Sequence, residues 1–191
     1  MATTTRLKKG LSRGVVEFIS RAKKEPTWLR TFRRRAFSVF EQKAMPAWGP
    51  DLAKLDLQKI IYFKRPLEKP ALTWQELPKK IRETYEKIGI PEAERKNLLS
   101  GTGLQYDSEV VYESIQQELK KQGVIFCDMD TAVRKYPRLV RQYFGTLIPP
   151  SDNKFAALNS ACWSGGSFLC CLETKTITNH TYCFGKRKSL F

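Results

Sequence analysis

The sequence predicts an α+β fold in which a mainly helical region, residues 1–150, precedes a short strand-forming region, residues 151–191. Three observations carry that prediction. Apolar residues recur at helical spacing in several segments before Pro149-Pro150. Prolines and glycines in this part fall where helices start and stop. From Asn153 onward, short apolar patches, small residues and a Ser164-Gly165-Gly166-Ser167 turn replace the long amphipathic periods, a texture that reads as short strands joined by tight turns.

Taken in order, Ser12 is a candidate N-cap for a helix over residues 12–23, with Leu11, Val15, Val16 and Ile19 as its apolar side. Glu25-Pro26 breaks it, and Pro26 suits the first turn of a second helix whose apolar side is Trp28, Leu29, Phe32, Ala36, Phe37 and Phe40. Arg33, Arg34 and Arg35 fan around that helix and read as solvated arginines flanking the aromatic stripe. Met45 to Pro50, with two prolines and a glycine, is a loop expected to be anchored by Trp48. Leu57 to Phe63 reads as a strand, and Thr73 to Glu76 as a capping box for a helix through Ile81, Tyr85 and Ile88 that ends at Gly89. Pro91 starts a short helix to Leu99, and Ser100 to Gly103 is a loop. A helix from Asp107 or Ser108 to Lys121 follows, with Val111, Ile115 and Leu119 four apart, then Gly123 and a strand at Val124 to Phe126. Asp130 is the expected cap of one more helix, carrying Val133, Leu139, Val140, Tyr143 and Phe144.

A chain of 191 residues buries about 70% of its unfolded surface and so supports a core of ordinary size. Five cysteines, an odd number, with no secretory leader, fit a reducing cytoplasm better than a disulfide framework. No apolar run approaches the ~18 residues of a membrane span. The formal charge is +15, and residues 1–50 hold 12 Lys/Arg against 3 Asp/Glu. Such a surplus attracts polyanions through phosphate neutralisation, which makes a basic nucleic-acid-binding module an alternative reading of function. No zinc finger, RNA-recognition or helix-turn-helix signature accompanies it.

Two blocks carry a resemblance. The first runs from Ile88-Gly89-Ile90-Pro91-Glu92 through Gln105-Tyr106-Asp107-Ser108-Glu109-Val110-Val111-Tyr112 to Gly123-Val124-Ile125-Phe126, ending near Asp128. The second is Asn153-Lys154-Phe155-Ala156-Ala157-Leu158-Asn159-Ser160-Ala161-Cys162-Trp163-Ser164-Gly165-Gly166-Ser167-Phe168. With the opening from Gly10-Leu11-Ser12 to Trp28, they resemble SufB, the iron–sulfur cluster assembly scaffold of the SUF system in the SufB/SufD family, over residues 10–168. The resemblance implies a non-enzymatic scaffold and a second region that begins a parallel β-helix. It also implies a SufD-like paralogue, an ABC-type ATPase subunit and a sulfur donor system as partners, with an iron–sulfur cluster held by the complete scaffold. Only 41 residues follow Pro150, so the stack is expected to be incomplete, because repeat stacks need about three units. The family's proposed cluster ligands and its contacts with the ATPase lie in its later coils and C-terminal region. None is therefore carried over, no catalytic residue is assigned, and the chain is expected to hold no cluster stably.

After Phe168 the match is lost, and residues 169–191 are expected to be divergent or out of frame, the product of a truncated gene or a frame shift. Reading the DNA beyond codon 168 in the other frames distinguishes the two. Cys170, Cys171, His180 and Cys183 form a candidate metal set, the basis of a second alternative, a small metal-binding protein. Adjacent cysteines on a strand point to opposite faces, which works against joint chelation. Cys127 and Cys162 read as packed apolar residues. His180 is the sole histidine and lies in the unmatched tail, so no Ser/His/Asp arrangement forms. Asp107, Glu109, Asp128 and Asp130 pair as acids only on paper. Gly101 and Gly103 fall short of a dinucleotide or Walker fingerprint.

Overall fold

The computed structural model describes residues 5–67, 71, 73–89, 101–115, 117–170 and 179–184. In chain order these form β1 (Thr5–Arg6), α1 (Arg13–Ala22), α2 (Thr27–Gln42), β2 (Lys64–Arg65), α3 (Lys79–Glu86), β3 (Gly101–Tyr106), β4 (Glu109–Ile115) and α4 (Gln117–Lys121). Then come β5 (Ile125–Asp128), α5 (Met129–Lys135), α6 (Pro137–Tyr143), α7 (Lys154–Cys162), β6 (Ser167–Cys170) and β7 (Asn179–Phe184). They divide into two compact units, each assembled from separate stretches: Arg6–Lys64 with Val133–Ser164, and Met1–Thr5, Arg65–Ala132 and Gly165–Phe191. Helices and small, mainly antiparallel sheets are mixed along the chain, which is compatible with an α+β fold.

The first unit is helical. Ser12 caps α1 by accepting a hydrogen bond from the Val15 N–H at 3.3 Å, and Val16 and Ile19 face inward. Lys24, at φ +52°, turns the chain before Pro26 opens α2. The second region departs from expectation here, because residues 154–162 are a helix and not strands. Asn153 caps it, its side-chain oxygen accepting from the N–H groups of Phe155 at 2.8 Å and Ala156 at 3.0 Å. The buried side of α7 is Ala156, Ala157, Ser160 and Ala161, a seam of small side chains of which Ala157 and Ala161 pack with Leu11, Val16, Ala36, Phe37 and Phe40. Lys154 fixes the pairing at the far end of α2, where its ammonium donates to the carbonyls of Phe40 at 2.7 Å and Lys43 at 2.6 Å. A cation at those unsatisfied carbonyls is favoured by the negative end of the helix dipole.

The expected strand at 57–63 is a 3₁₀ turn over Leu57–Lys59, capped by Asp56, whose carboxylate accepts from the Gln58 N–H at 2.9 Å. Beyond it Ile60 is extended, its carbonyl accepting from the Gly10 N–H at 2.8 Å, and the Phe63 carbonyl accepts from the Leu7 N–H at 3.3 Å. Trp48 does not anchor the preceding loop: it is 65% exposed. The single helix expected from Asp130 to Phe144 is two, α5 and α6, because Pro137 has no N–H to give and forces Tyr136 out of helical geometry. Asp128, not Asp130, caps α5, its carboxylate accepting from the Thr131 N–H at 2.9 Å as strand runs straight into helix. Past α6, Phe144 enters an aromatic cluster with Trp28, Phe32 and Trp163, at ring distances of 6.3, 5.2 and 5.1 Å.

The second unit is built on β3 and β4. The sequence expectation of a loop at 100–103 and a helix from 107 is overturned: Gly101–Tyr106 and Glu109–Ile115 form an antiparallel hairpin around Asp107-Ser108. Asp107, at φ +54°, supplies the positive φ that two-residue hairpin loops use. Leu104 opposes Tyr112 while Gln105 opposes Val110, so Val111 is an extra residue, a β-bulge. That bulge disguises the strand: Glu109 to Tyr112 are all buried, without the alternation a regular strand would show. The sequence-predicted helix at 73–88 is a 3₁₀ turn at Trp74–Glu76 followed by α3, divided at Pro78. Ile81 and Tyr85 of α3 pack with Leu77, Leu104, Tyr106, Val111 and Tyr112, and the Tyr85 hydroxyl donates to the Gln105 carbonyl at 2.6 Å. The strand expected at 124–126 is present as β5, antiparallel to β6, and β7 lies parallel to β3. Among the described residues these strands form two- and three-stranded sheets, and no stack of parallel coils is seen. The helix expected over 91–99 and much of the 169–191 tail lie outside the described residues.

Gly145 sits at φ +71°, and a Cβ there would lie 2.9 Å from the Phe32 ring. Gly145→Ala therefore carries both backbone strain and a clash, and is expected to lower stability by about 1–3 kcal/mol. Urea unfolding measures the loss; an unchanged midpoint would show that the turn is not fixed as described.

Candidate functional site

The most constructed polar site lies within the helical unit, around Arg33. Leu29, Arg33, Ala36, Phe37 and Phe40 share the buried side of α2, so the helical period carries a guanidinium into an apolar stripe. The expectation that all three arginines are solvated is thus corrected. Arg34 and Arg35 are exposed, whereas Arg33 is 0% exposed. Burial is tolerated because its donors are matched. Nε donates to both Glu25 carboxylate oxygens at 3.0 and 2.8 Å, Nη2 donates to one of them at 2.6 Å, and Nη1 donates to the Ala161 carbonyl at 3.1 Å. The Glu25 side chain is itself only 2% exposed. Trp163 closes the site with its ring centre 4.5 Å from the guanidinium carbon, and the Lys23 ammonium stands 6.0 Å from the same ring.

Chemically the arrangement is a binding and positioning device. A doubly bonded carboxylate–guanidinium pair presents no free nucleophile or base, but it ties the α1–α2 turn to the end of α7. A second, exposed pair stands beside it in sequence: Arg34 donates through Nε to Glu17, and through Nη2 to its other oxygen at 3.0 Å. That hydrogen bond, with Arg34, Arg30 and Arg13 as nearby charges, holds the Glu17 carboxyl below its ordinary value.

Cys162 is the cysteine nearest this site. Its thiol donates to the Leu158 carbonyl at 3.0 Å, and burial pushes its pKa up to about 12, partly opposed by the charge of Arg33. It packs as an apolar residue, as expected, and Cys127 is also buried. The metal candidates are spread over the second unit. Cys170 is on β6, which pairs with β5, while His180 and Cys183 are backbone positions of β7, opposite Thr102 and Gln105 of β3. Cys171 lies outside the described residues. Among the described residues no group of three or more His, Cys, Asp or Glu comes together to hold a metal ion. The acids once paired on paper have local duties. Asp107 makes the hairpin turn, Glu109 faces Arg65 at 3.5 Å, Asp128 caps α5, and Asp130 stands in that helix's first turn. No helix among the described residues is long and apolar enough to cross a membrane.

Comparison with known proteins finds no family model that matches the chain. Individual relatives do match. The chain is 50% identical over 161 residues to an iron–sulfur cluster assembly SufBD family protein of Mycobacterium bovis, covering 84% of this chain and 19% of the relative. A protein of the same description from Mycobacterium leprae is 52% identical over 159 residues, 83% of this chain and 18% of the relative. One from Staphylococcus epidermidis is 48% identical over 164 residues, 86% of this chain and 35% of the relative. The chain therefore spans about a fifth to about a third of the length of these relatives.

Two outcomes follow from the site's geometry. Arg33→Met leaves the Glu25 carboxylate buried without its partner and is expected to cost about 3–5 kcal/mol in urea unfolding. The double variant Arg33→Met/Glu25→Met removes both charges and recovers much of that loss; equal losses in the single and double variants would deny the coupling. For Cys162, a pKa of about 12 leaves on the order of one thiolate in ten thousand at pH 8, so alkylation followed by peptide mass spectrometry should label it only once the chain is unfolded.

Proposed function

We propose that this chain is part of an iron–sulfur cluster assembly protein of the SufBD family and, within it, of the SufB-like branch. The observation that carries the reading is identity of 48–52% to proteins of that description over 83–86% of the chain. The blocks from Ile88 to Asp128 and Asn153 to Phe168 support the SufB-like assignment through their resemblance to that scaffold. On this reading the protein works as a scaffold in the cytoplasm and not as an enzyme. It handles the iron–sulfur cluster as cargo, alongside a SufD-like paralogue, an ABC-type ATPase subunit and a sulfur donor. The helical unit supplies a rigid base, in which Arg33 joins the Glu25 carboxylate of the α1–α2 turn to the Ala161 carbonyl of α7. A parallel β-helix belongs to the complete scaffold in this proposal.

A chimera tests the reading. The matched stretch of the Staphylococcus epidermidis relative is replaced by that of this chain, and the hybrid is expressed in a strain lacking the relative. The hybrid is expected to restore the activity of iron–sulfur enzymes in that strain. A soluble, cooperatively folding hybrid that restores none would overturn the assignment. A hybrid that fails to fold is resolved by exchanging residues 6–64 and 133–164 alone.

A further inference from the structure

The charge of this protein is segregated. Residues 6–64 and 133–164, the helical unit, carry 20 Lys/Arg against 6 Asp/Glu, a balance of +14, while the remainder carries 14 against 13. Most of the unit's acids are already engaged: Glu25 with Arg33, Glu17 with Arg34, Asp56 with Lys59 and the Gln58 N–H, Asp51 with the Ala53 N–H, and Asp152 with Asn153. Internal pairing leaves the surplus cationic.

One segment combines that surplus with exposed apolar surface. Between residues 131 and 151 there is no Asp or Glu. Arg138 and Arg141, three apart on α6, are exposed. Immediately after them Tyr143 is 61% exposed, Leu147 97% and Ile148 66%. Single exposed apolar residues need no explanation; three within six positions do.

The display is also fixed. Phe144 is held among Trp28, Phe32 and Trp163, and Gly145 passes against the Phe32 ring in a left-handed conformation. Thr146 closes the turn, its hydroxyl donating to the Tyr143 carbonyl at 2.8 Å, and the Asp152 N–H donates to the Pro149 carbonyl at 3.0 Å. Leu147 and Ile148 are thus presented from a turn whose half-buried base is packed against aromatic rings, which lowers the entropy lost when they are covered.

We propose that Arg138, Arg141, Tyr143, Leu147 and Ile148 form a docking surface for an acidic protein segment that inserts apolar side chains. An apolar centre bordered by arginine and tyrosine is the composition of protein interfaces. A nucleic acid would use the arginines but gain nothing from Leu147 and Ile148, which cannot stack on bases. Opposite charge on the partner steers it to this face, and the aliphatic pair sets how long it stays.

The test uses the whole chain and a fluorescent amphipathic peptide of glutamate and leucine, followed by anisotropy at about 150 mM salt. Binding is expected, with polyglutamate of equal charge at least about tenfold weaker. Leu147→Asp and the pair Arg138→Glu/Arg141→Glu should each weaken the peptide about tenfold or more, with thermal midpoints unchanged because these side chains are exposed. The proposal is overturned if the peptide does not bind or if polyglutamate binds as well. It is equally overturned if an oligonucleotide or a phosphatidylserine vesicle binds more tightly, if Leu147→Asp changes nothing, or if sedimentation shows that this face joins two copies of the chain.

Discussion

The buried contact between Arg33 and Glu25 governs the helical unit. Removing two charges from water costs several kcal/mol per ion, and an ion pair alone seldom offsets that. Here the geometry offers more than a pair. The guanidinium meets both carboxylate oxygens, the Ala161 carbonyl near the end of α7, and the face of Trp163. A cation near a helix C-terminus also meets the negative end of its dipole. Two stretches distant in sequence, the α1–α2 turn with α2 and the end of α7, must be correctly placed before these donors are satisfied. The arrangement therefore works against alternative packings, since misplacing α7 takes the Ala161 carbonyl away from a buried Nη1 donor.

The small side chains of α7 follow from the same constraint. Ala157 and Ala161 are 0% exposed and pack in one cluster with Ala36 of α2. Close approach of helix backbones lets the Arg33 side chain span from its own helix to the Ala161 carbonyl. Bulkier residues would hold the helices apart and lengthen that bond. Lys154 repeats the arrangement at the other end, its ammonium on two carbonyls and over the Phe40 ring at 4.5 Å. Between the two cations α7 is held at both termini.

Much of the fold was legible in residues whose physics is local. The Ser12 cap, the stop at Glu25-Pro26 and the apolar side of α2 stand where periodicity and turn chemistry put them. The errors have equally local causes. The bulge at Val111 spoiled the alternation of β4, and Val111, Ile115 and Leu119 counterfeited a helical period. On α7, alanine and serine give almost no hydrophobic contrast, so the helix hid although Asn153, a strong cap, stood in plain view. Prolines 78 and 137 divided helices that the apolar spacing joined. Arg33 was recoverable: it lies four residues after Leu29 and four before Phe37, inside the stripe, and a charge at such a position signals a buried partner. Nothing local, however, announced Ala161 and Trp163 as its other neighbours, because they come from more than a hundred positions downstream.

The alanine seam also fixes which mutations a lineage tolerates there. Shrinking a side chain that is already a methyl group removes little packing, so drift toward glycine costs only about the 1 kcal/mol by which a helix interior prefers alanine. Growth costs more, because each added carbon would push apart two helices pinned at both ends. Tolerance along this contact is one-directional, and among divergent sequences the small size of these positions should outlast their chemical identity, with glycine and serine admitted where valine and leucine are refused.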